Sequence, residues 1–305
     1  MTVIAVVGPT AAGKSALSLA LAEKLDGEVV NADSMQLYRG LDIGTAKLSV
    51  AERRGIPHHV LDIWPVTAPA SVAEYQRLAR SAIDDIRARG KTPLLVGGSG
   101  LYVRAVLEDF DFPGTDAALR ASLESELALV GAASMHERLR AADPVAASRI
   151  LPTNGRRIVR ALEVITLTGQ PFTAALPVSP VPFYPSVQIG VDVDSAVLDA
   201  RVAARVAQMW SADLVAETAA LVDAGLRSGR TASRALGYQQ VLAFLAGTCS
   251  EQEAHDETIR ATRRFVRRQR TWFRRDPRIT WLDGVDPDLH TAALRAVNAD
   301  GTGAP

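Results

Sequence analysis

The eight residues Gly8-Pro9-Thr10-Ala11-Ala12-Gly13-Lys14-Ser15 constrain this chain more than any other stretch. Two glycines with four residues between them, followed by Lys and Ser, make a phosphate-cradling P-loop when they join a strand to a helix. Both flanks comply. Val3 to Val7, VIAVV, reads as a buried strand, and Ala16 to Leu25, rich in Ala and Leu, reads as a helix. In such a loop the glycines turn backbone N–H groups inward and the helix N-terminus adds positive potential. Lys14 adds a full charge, and the Ser15 hydroxyl can ligate a magnesium ion. A chain of two or three phosphates suits it. The loop does not name the atom attacked: a bound pyrophosphate is either the group transferred or the group that leaves.

Glu28 to Ala32, His59 to Ile63 and Thr92 to Val96 read as further strands, with a helix over Val72 to Arg89. Strands that alternate with helices predict an α/β fold, a P-loop NTPase-like core whose parallel sheet is flanked by helices. Val187 to Val193, VQIGVDV, adds another core strand. Before it, Thr115 to Gly169 has helix pattern and little strand signal, followed by the Pro-rich stretch Pro171 to Pro185. The expected organisation is a first core part over 1–114 and a mainly helical insertion domain with a Pro-rich return linker over 115–185. The second core part, with C-terminal helices, covers 186–285, and a tail with a frayed end covers 286–305.

With 305 residues, 48% of them hydrophobic, the chain is long enough for a large core and is not of the disordered class. Its 34 basic and 34 acidic residues cancel, so attraction to nucleic acid must come from local clustering. Cys249 is the only cysteine, which excludes an intrachain disulfide and a cysteine-rich zinc site. The N-terminus has no basic leader with a cleavage site, and the longest apolar stretch, Pro93 to Leu107, is interrupted by glycines and Arg104. A cytoplasmic protein with no membrane partner is therefore expected.

Asp33 stands just past the second strand, where strand ends in an α/β sheet face the ligand crevice. A carboxylate there can bind magnesium through water or take a proton from a nucleophile; a lone Asp before Ser34 is more commonly a turn or cap residue. Tyr38, Arg39, Asp42, Thr45 and Lys47 make the following loop unusually polar. In LLVGGSGLYVRAV, Leu94 to Val106, Gly97, Gly98 and Gly100 permit close backbone approach and Ser99 aims at the same crevice. Arg156, Arg157 and Arg160 lie opposite the apolar face marked by Ile158, Leu162 and Ile165, a pattern of solvated charges or phosphate contacts. Eight Arg between 260 and 275 form a wall on a helix, with Arg263, Arg267, Arg270 and Arg274 on one face and Ile259, Val266 and Phe273 on another. Interleaved with Trp272, that wall suits a polyanion.

Together these residues resemble one family, the tRNA dimethylallyltransferases, also called tRNA isopentenyltransferases. The blocks that carry the resemblance are GPTAAGKS from Gly8, DSMQLYRGLDIGTAK from Asp33, PHHVLDI from Pro57, LLVGGSGLY from Leu94, RRIVRALEV from Arg156, RALGYQQ from Arg234 and RRQRTWFRR from Arg267. The resemblance implies transfer of a dimethylallyl group from dimethylallyl diphosphate to the exocyclic N6 amine of the adenine 3′ of the anticodon. Pyrophosphate then leaves, held by Gly8, Pro9, Thr10, Ala11, Ala12, Gly13, Lys14 and Ser15 with magnesium on Ser15, and Arg205 as a further contact. Asp33 would be the general base, a role open to an ordinary ionised aspartate. Contacts to the tRNA anticodon stem-loop are implied for Asp33, Ser34, Met35 and Gln36, for Ser99 and Arg120, for Arg156, Arg157, Ile158, Val159 and Arg160, and for Arg234, Gly237, Tyr238 and Gln239. The target adenine would leave its stack to reach Asp33. Single-chain action is expected.

Three positions depart from the family pattern. Ser99 stands where Thr is usual, Asp213 where Gly is general, and Leu48 where Pro follows the lysine. No zinc-finger extension is present, as in a bacterial-type enzyme. Two other classes share some of these features. A small-molecule or nucleoside kinase would use the same loop for ATP, but has no use for the arginine helix. A nucleotide-gated RNA-binding switch leaves the Asp33 loop unemployed.

Overall fold

The computed structural model describes residues 1–109, 112–172 and 181–301, with the side chains described up to residue 299. From the N-terminus the elements are β1 (Val3–Val7), α1 (Lys14–Lys24), β2 (Gly27–Asn31), β3 (His58–His59), α2 (Val72–Ala88), β4 (Thr92–Gly97) and α3 (Gly100–Leu107). A helical run follows: α4 (Ala117–Ala142), α5 (Pro144–Arg149) and α6 (Gly155–Thr168). The chain then continues through β5 (Ser186–Asp192), α7 (Ser195–Ser211), α8 (Leu214–Asp223), α9 (Tyr238–Leu245), α10 (Glu251–Phe273), β6 (Ile279–Asp283) and α11 (Leu289–Gly301).

The strands form one sheet in the order β3-β2-β4-β1-β5-β6, and every described pair is parallel. VIAVV lies in its middle and is buried throughout, because both faces of such a sheet are covered by helices. Alternation along β1 divides the core. Val3, Ala5 and Val7 face the cluster built with Tyr75, Tyr102, Leu214 and Tyr238, while Ile4 and Val6 face Leu17, Leu21 and Ala293. A charged residue, Glu28, is tolerated inside β2 because His59 Nε2 lies 2.7 Å from its carboxylate and Arg89 bonds to both its oxygens. The hydrogen bond from Arg89 is the main reason that the Glu28 carboxyl is held down to about 2.

The chain divides into two compact units, residues 1–109 with 182–305, and Phe110–Val181. The second unit is helical in its described residues and has its own core of Leu123, Met135, Leu139, Ile158 and Leu162. Its limits precede the expected 115–185 by a few residues at each end. Of the expected Pro-rich linker, residues 173–180 lie outside the described residues.

Three expectations need correction. The strand read at His59 to Ile63 is only His58–His59, because Val60 and Asp62 adopt positive φ, 60° and 55°, which ends pairing. Ile279–Asp283 is a strand the sequence reading missed, at the sheet edge and paired along β5. The supposed tail over 286–305 contains α11, whose Ala293 is fully buried and which packs with Leu17 and Leu21 of α1 in one cluster. Residues 302–305 lie outside the described residues.

Candidate active site

The P-loop leaves β1 and enters α1 through two glycines with positive φ, Gly8 at 138° and Gly13 at 109°. A Cβ on Gly8 would sit 2.2 Å from the Val191 carbonyl oxygen, so no other residue fits there. Ala11 is also held at a positive φ, 68°, a strained setting for alanine in a loop that must turn its N–H groups inward. Lys14 Nζ donates to the Pro9 carbonyl at 2.7 Å, and the Ser15 side is exposed. Thr10 N–H donates to Gln269 Oε1 at 2.9 Å.

Asp33 follows β2 as expected. The Asn31 side chain holds it on both sides, accepting from Asp33 N–H at 2.9 Å and donating to the Asp33 carbonyl at 3.0 Å. Asp33 Oδ1 accepts from Met35 N–H at 2.9 Å, which orients the carboxylate and leaves its other oxygen for chemistry. The GGSG turn packs directly against this point. A Cβ on Gly97 would come within 2.2 Å of the Ala32 carbonyl oxygen, and Ser99 Oγ accepts from Ser34 N–H at 3.1 Å. The hydroxyl is the part that makes this contact, so Ser99 retains it without the methyl of the usual Thr. Below the loop, Tyr75 donates to the Asn31 carbonyl at 3.0 Å, and its ring packs tilted at 53° against Tyr102 with centroids 4.7 Å apart.

The charges converge here. Burial first, and then the Arg205 guanidinium, lower the Lys14 ammonium to about 8, while Asp33 pulls it upward. Arg205 itself is lowered by burial and raised by Asp33. Thus both Arg205 and Asp33 bear on Lys14, and Asp33 bears on Arg205, although they come from α1, α7 and the loop after β2. Arg205 Nη2 donates to the Thr45 carbonyl at 3.3 Å, but its Nε is buried with no partner. A cation left so incompletely satisfied is a place for an anion.

Gln269, which the sequence reading passed over, ties these parts together. Besides its bond from Thr10 it donates Nε2 to the Gly98 carbonyl at 3.0 Å, so one side chain of α10 fixes both the P-loop and the GGSG turn. The signal was a polar residue on the buried stripe between Val266 and Phe273. Gly100 is explained by the same helix, since a Cβ there would strike the Trp272 indole nitrogen at 1.9 Å. The arginine wall is mixed. Arg270 bonds to Asp192, the Val193 carbonyl and Ser195, and Arg263 reaches the Asp199 carbonyl, so both are structural ties. Arg267, Arg268 and Arg275 are exposed around Trp272.

Asp213, the Gly departure, adopts φ 69° and ψ 46°, a left-handed setting that Asp tolerates better than most residues. It also caps α8, its Oδ1 accepting from Ala216 N–H at 3.2 Å. The substitution preserves the backbone turn and gains a cap.

Of the other expected tRNA contacts, the exposed ones are Arg156, Arg157, Arg234 and Gln239. Ile158 and Val159 are buried in the core of the second unit, and Tyr238 is fully buried with its hydroxyl engaged by Glu217 and Gly44. Gly237 is buried as well. The side chains of Ile158, Val159 and Tyr238 cannot meet a tRNA from where they stand; their blocks would present Arg and Gln instead. In the second unit Arg120 and Arg160 both bond to the buried Glu163 carboxylate.

The sequence pattern of the IPP transferase family matches residues 36–276. The tRNA dimethylallyltransferase of Salinispora arenicola is 75% identical, over 98% of this chain and 87% of its own length. That of Streptomyces avermitilis is 67% identical, over 94% and 92%. The full-length tRNA isopentenylpyrophosphate transferase of Bacillus halodurans, a solved structure, aligns with a TM-score of 0.72 at 39% identity, covering 98% of both chains. A eukaryotic dimethylallyltransferase captured acting on tRNA aligns with a TM-score of 0.82 at 26% identity, over 100% of this chain and 80% of that one.

Proposed function

This chain belongs to the IPP transferase family, and on that premise we propose that it transfers a dimethylallyl group from dimethylallyl diphosphate to N6 of the adenine 3′ of the anticodon in tRNA. Family membership does not favour the kinase or the RNA-binding switch. The observation that carries the reading at the site is the P-loop itself, turned by Gly8 and Gly13 at positive φ and holding Lys14, on whose ammonium both the Arg205 guanidinium and the Asp33 carboxylate bear.

The bond between the allylic carbon and the diphosphate oxygen breaks, and negative charge grows on the departing diphosphate. Lys14, Arg205 and the inward N–H groups of the loop stabilise that charge where it forms. The N6 amine is a weak nucleophile because its lone pair is shared with the ring. As the new N–C bond forms, the amine proton passes to Asp33, whose carboxylate the Met35 N–H holds in place. Ser34 and Ser99, joined by their hydroxyls, lie beside it and suit the sugar or base edge of the incoming nucleotide.

Magnesium fits the exposed Ser15 hydroxyl. Among the described residues no group of three His, Cys, Asp or Glu could hold an ion alone, which accords with an ion brought in on the diphosphate. When bound it would neutralise leaving-group charge. Among the described residues no helix is long and apolar enough to cross a membrane; we read the protein as a cytoplasmic monomer, since one chain carries every group the reaction needs.

The test is transfer of label from dimethylallyl diphosphate to unmodified tRNA with magnesium, beside Asp33→Asn. Labelled adenine from the parent protein and a large loss in the variant support the assignment. Undiminished transfer by Asp33→Asn removes Asp33 as the base.

A further inference from the structure

We propose that Glu217, acting with Tyr238, is a positioning residue for the diphosphate site: the pair clamps the turn at Ile43 to Thr45, and the Thr45 carbonyl in turn sets the Arg205 guanidinium. The inference rests on the reading of the P-loop as a diphosphate site and adds to it a device outside the reacting groups.

The contacts form a short, continuous path. Both carboxylate oxygens of Glu217 accept from Ile43 N–H, at 3.1 and 3.0 Å. Tyr238 Oη donates to Glu217 Oε1 at 2.5 Å and accepts from Gly44 N–H at 3.1 Å. Two consecutive backbone N–H groups of the turn are therefore held by one carboxylate–phenol pair. Next in the chain, the Thr45 carbonyl accepts from Arg205 Nη2 at 3.3 Å and from Gln36 Nε2 at 3.1 Å. That carbonyl gives the Arg205 guanidinium its one protein hydrogen bond among the described residues, and the Arg205 Nε is left buried and unpartnered.

Local structure makes the clamp specific. Gly44 lies so close to Tyr238 that a Cβ would be 2.5 Å from its ring, so the turn can rest on the phenol only with glycine there. Arg205 is on α7 and Glu217 on α8, and Asp213 makes the corner between them, its carbonyl accepting from Glu217 N–H at 3.1 Å. The two side chains thus reach the same turn from either side of one corner. At the base of the loop Lys47 Nζ binds both Asp42 and Asp62 at 2.6 Å and fixes the other end without Glu217. The clamp is needed for the middle of the turn, and that middle is the part that touches Arg205. Neither Glu217 nor Tyr238 touches Lys14, Asp33 or the P-loop in any described hydrogen bond or ion pair.

A clamp that acts through Arg205 has a signature that loss of a merely structural contact lacks. Affinity for inorganic diphosphate, measured by calorimetry, and KM for dimethylallyl diphosphate should both weaken roughly tenfold in Glu217→Ala, the scale of one lost charge-assisted hydrogen bond. The KM for tRNA should stay within about twofold. Glu217→Gln, which returns an acceptor oxygen, should recover most of the loss, and Tyr238→Phe should fall between. In an Arg205→Ala background none of these changes should weaken diphosphate further, because the group they orient is gone. Should Glu217→Ala fail to give a cooperative thermal transition, Tyr238→Phe carries the same cycle. Additive losses with Arg205→Ala, or an equal rise in both KM values, would overturn the clamp. The cycle in diphosphate binding is read without turnover, so a parent protein that binds diphosphate but prenylates nothing would sink the proposed function and leave the clamp standing.

Discussion

Arg205 in the first unit and Arg120 in the second are both partly buried guanidiniums, set in opposite surroundings. Arg120 donates through Nε and Nη2 to the fully buried Glu163, which also takes Arg160 and the Asp116 N–H. Arg205 has one long bond to a carbonyl, no ion pair among the described residues and an unpartnered Nε. A satisfied ion pair fixes structure; an unsatisfied buried cation costs stability and persists where a ligand completes it. With Arg205 proposed to meet the diphosphate, its lack of an ion pair among the described residues sets it apart from Arg120, a distinction that residue type alone does not make. The same comparison within α10 sets Arg270, tied to Asp192, apart from the exposed Arg267 and Arg268.

The largest expected effect is at Asp33, the carboxylate whose charge bears on Arg205. Asp33→Asn should lower kcat by about 10²- to 10⁴-fold, the usual range for a general base, with an unchanged thermal transition. Next, Arg205→Ala should reduce kcat/KM for dimethylallyl diphosphate by about 10²-fold, the scale for one donor to developing charge. Its unfolding free energy should hold or rise. Glu163→Ala should do the reverse for the partnered cations, destabilising the protein by about 2 to 3 kcal/mol because the two arginines left behind are partly exposed, as read by urea denaturation. A loss of stability in Arg205→Ala as large as in Glu163→Ala would break the comparison.

The smallest effect is in pH dependence. Lys14 in the free protein is lowered to about 8, chiefly by burial and next by Arg205. Diphosphate favours the ammonium, so affinity should be flat below that pH and fall above it, by up to about tenfold per pH unit. In Arg205→Ala the break should move to higher pH, because the second cause of lowering is removed. A break that stays put would show that Arg205 does not face Lys14.

What was legible in the sequence was whatever local chemistry dictates. The P-loop, β1, β4 and β5 follow from glycine spacing and β-branched runs, and the structure places them within a residue or so. Asp33 and Ser99 could be placed because strand ends in such a sheet face one crevice. β6 was missed because an edge strand is half exposed, and ITWLD shows no apolar run. The β3 expectation failed at Val60, whose positive φ no propensity anticipates. Gln269 and Glu217 were invisible for a different reason: their partners are 171 and 174 residues away in the chain. Tyr238 sits in a recognisable block, yet only packing shows that it faces inward.

The most direct test of the central claim is the stoichiometry of an ATP-free reaction with dimethylallyl diphosphate, unmodified tRNA and magnesium. One diphosphate released for each prenylated adenine, with no orthophosphate, is the result expected if the P-loop holds the leaving group. A requirement for ATP, or orthophosphate released in step with turnover, would contradict it and make the loop a site for phosphoryl transfer.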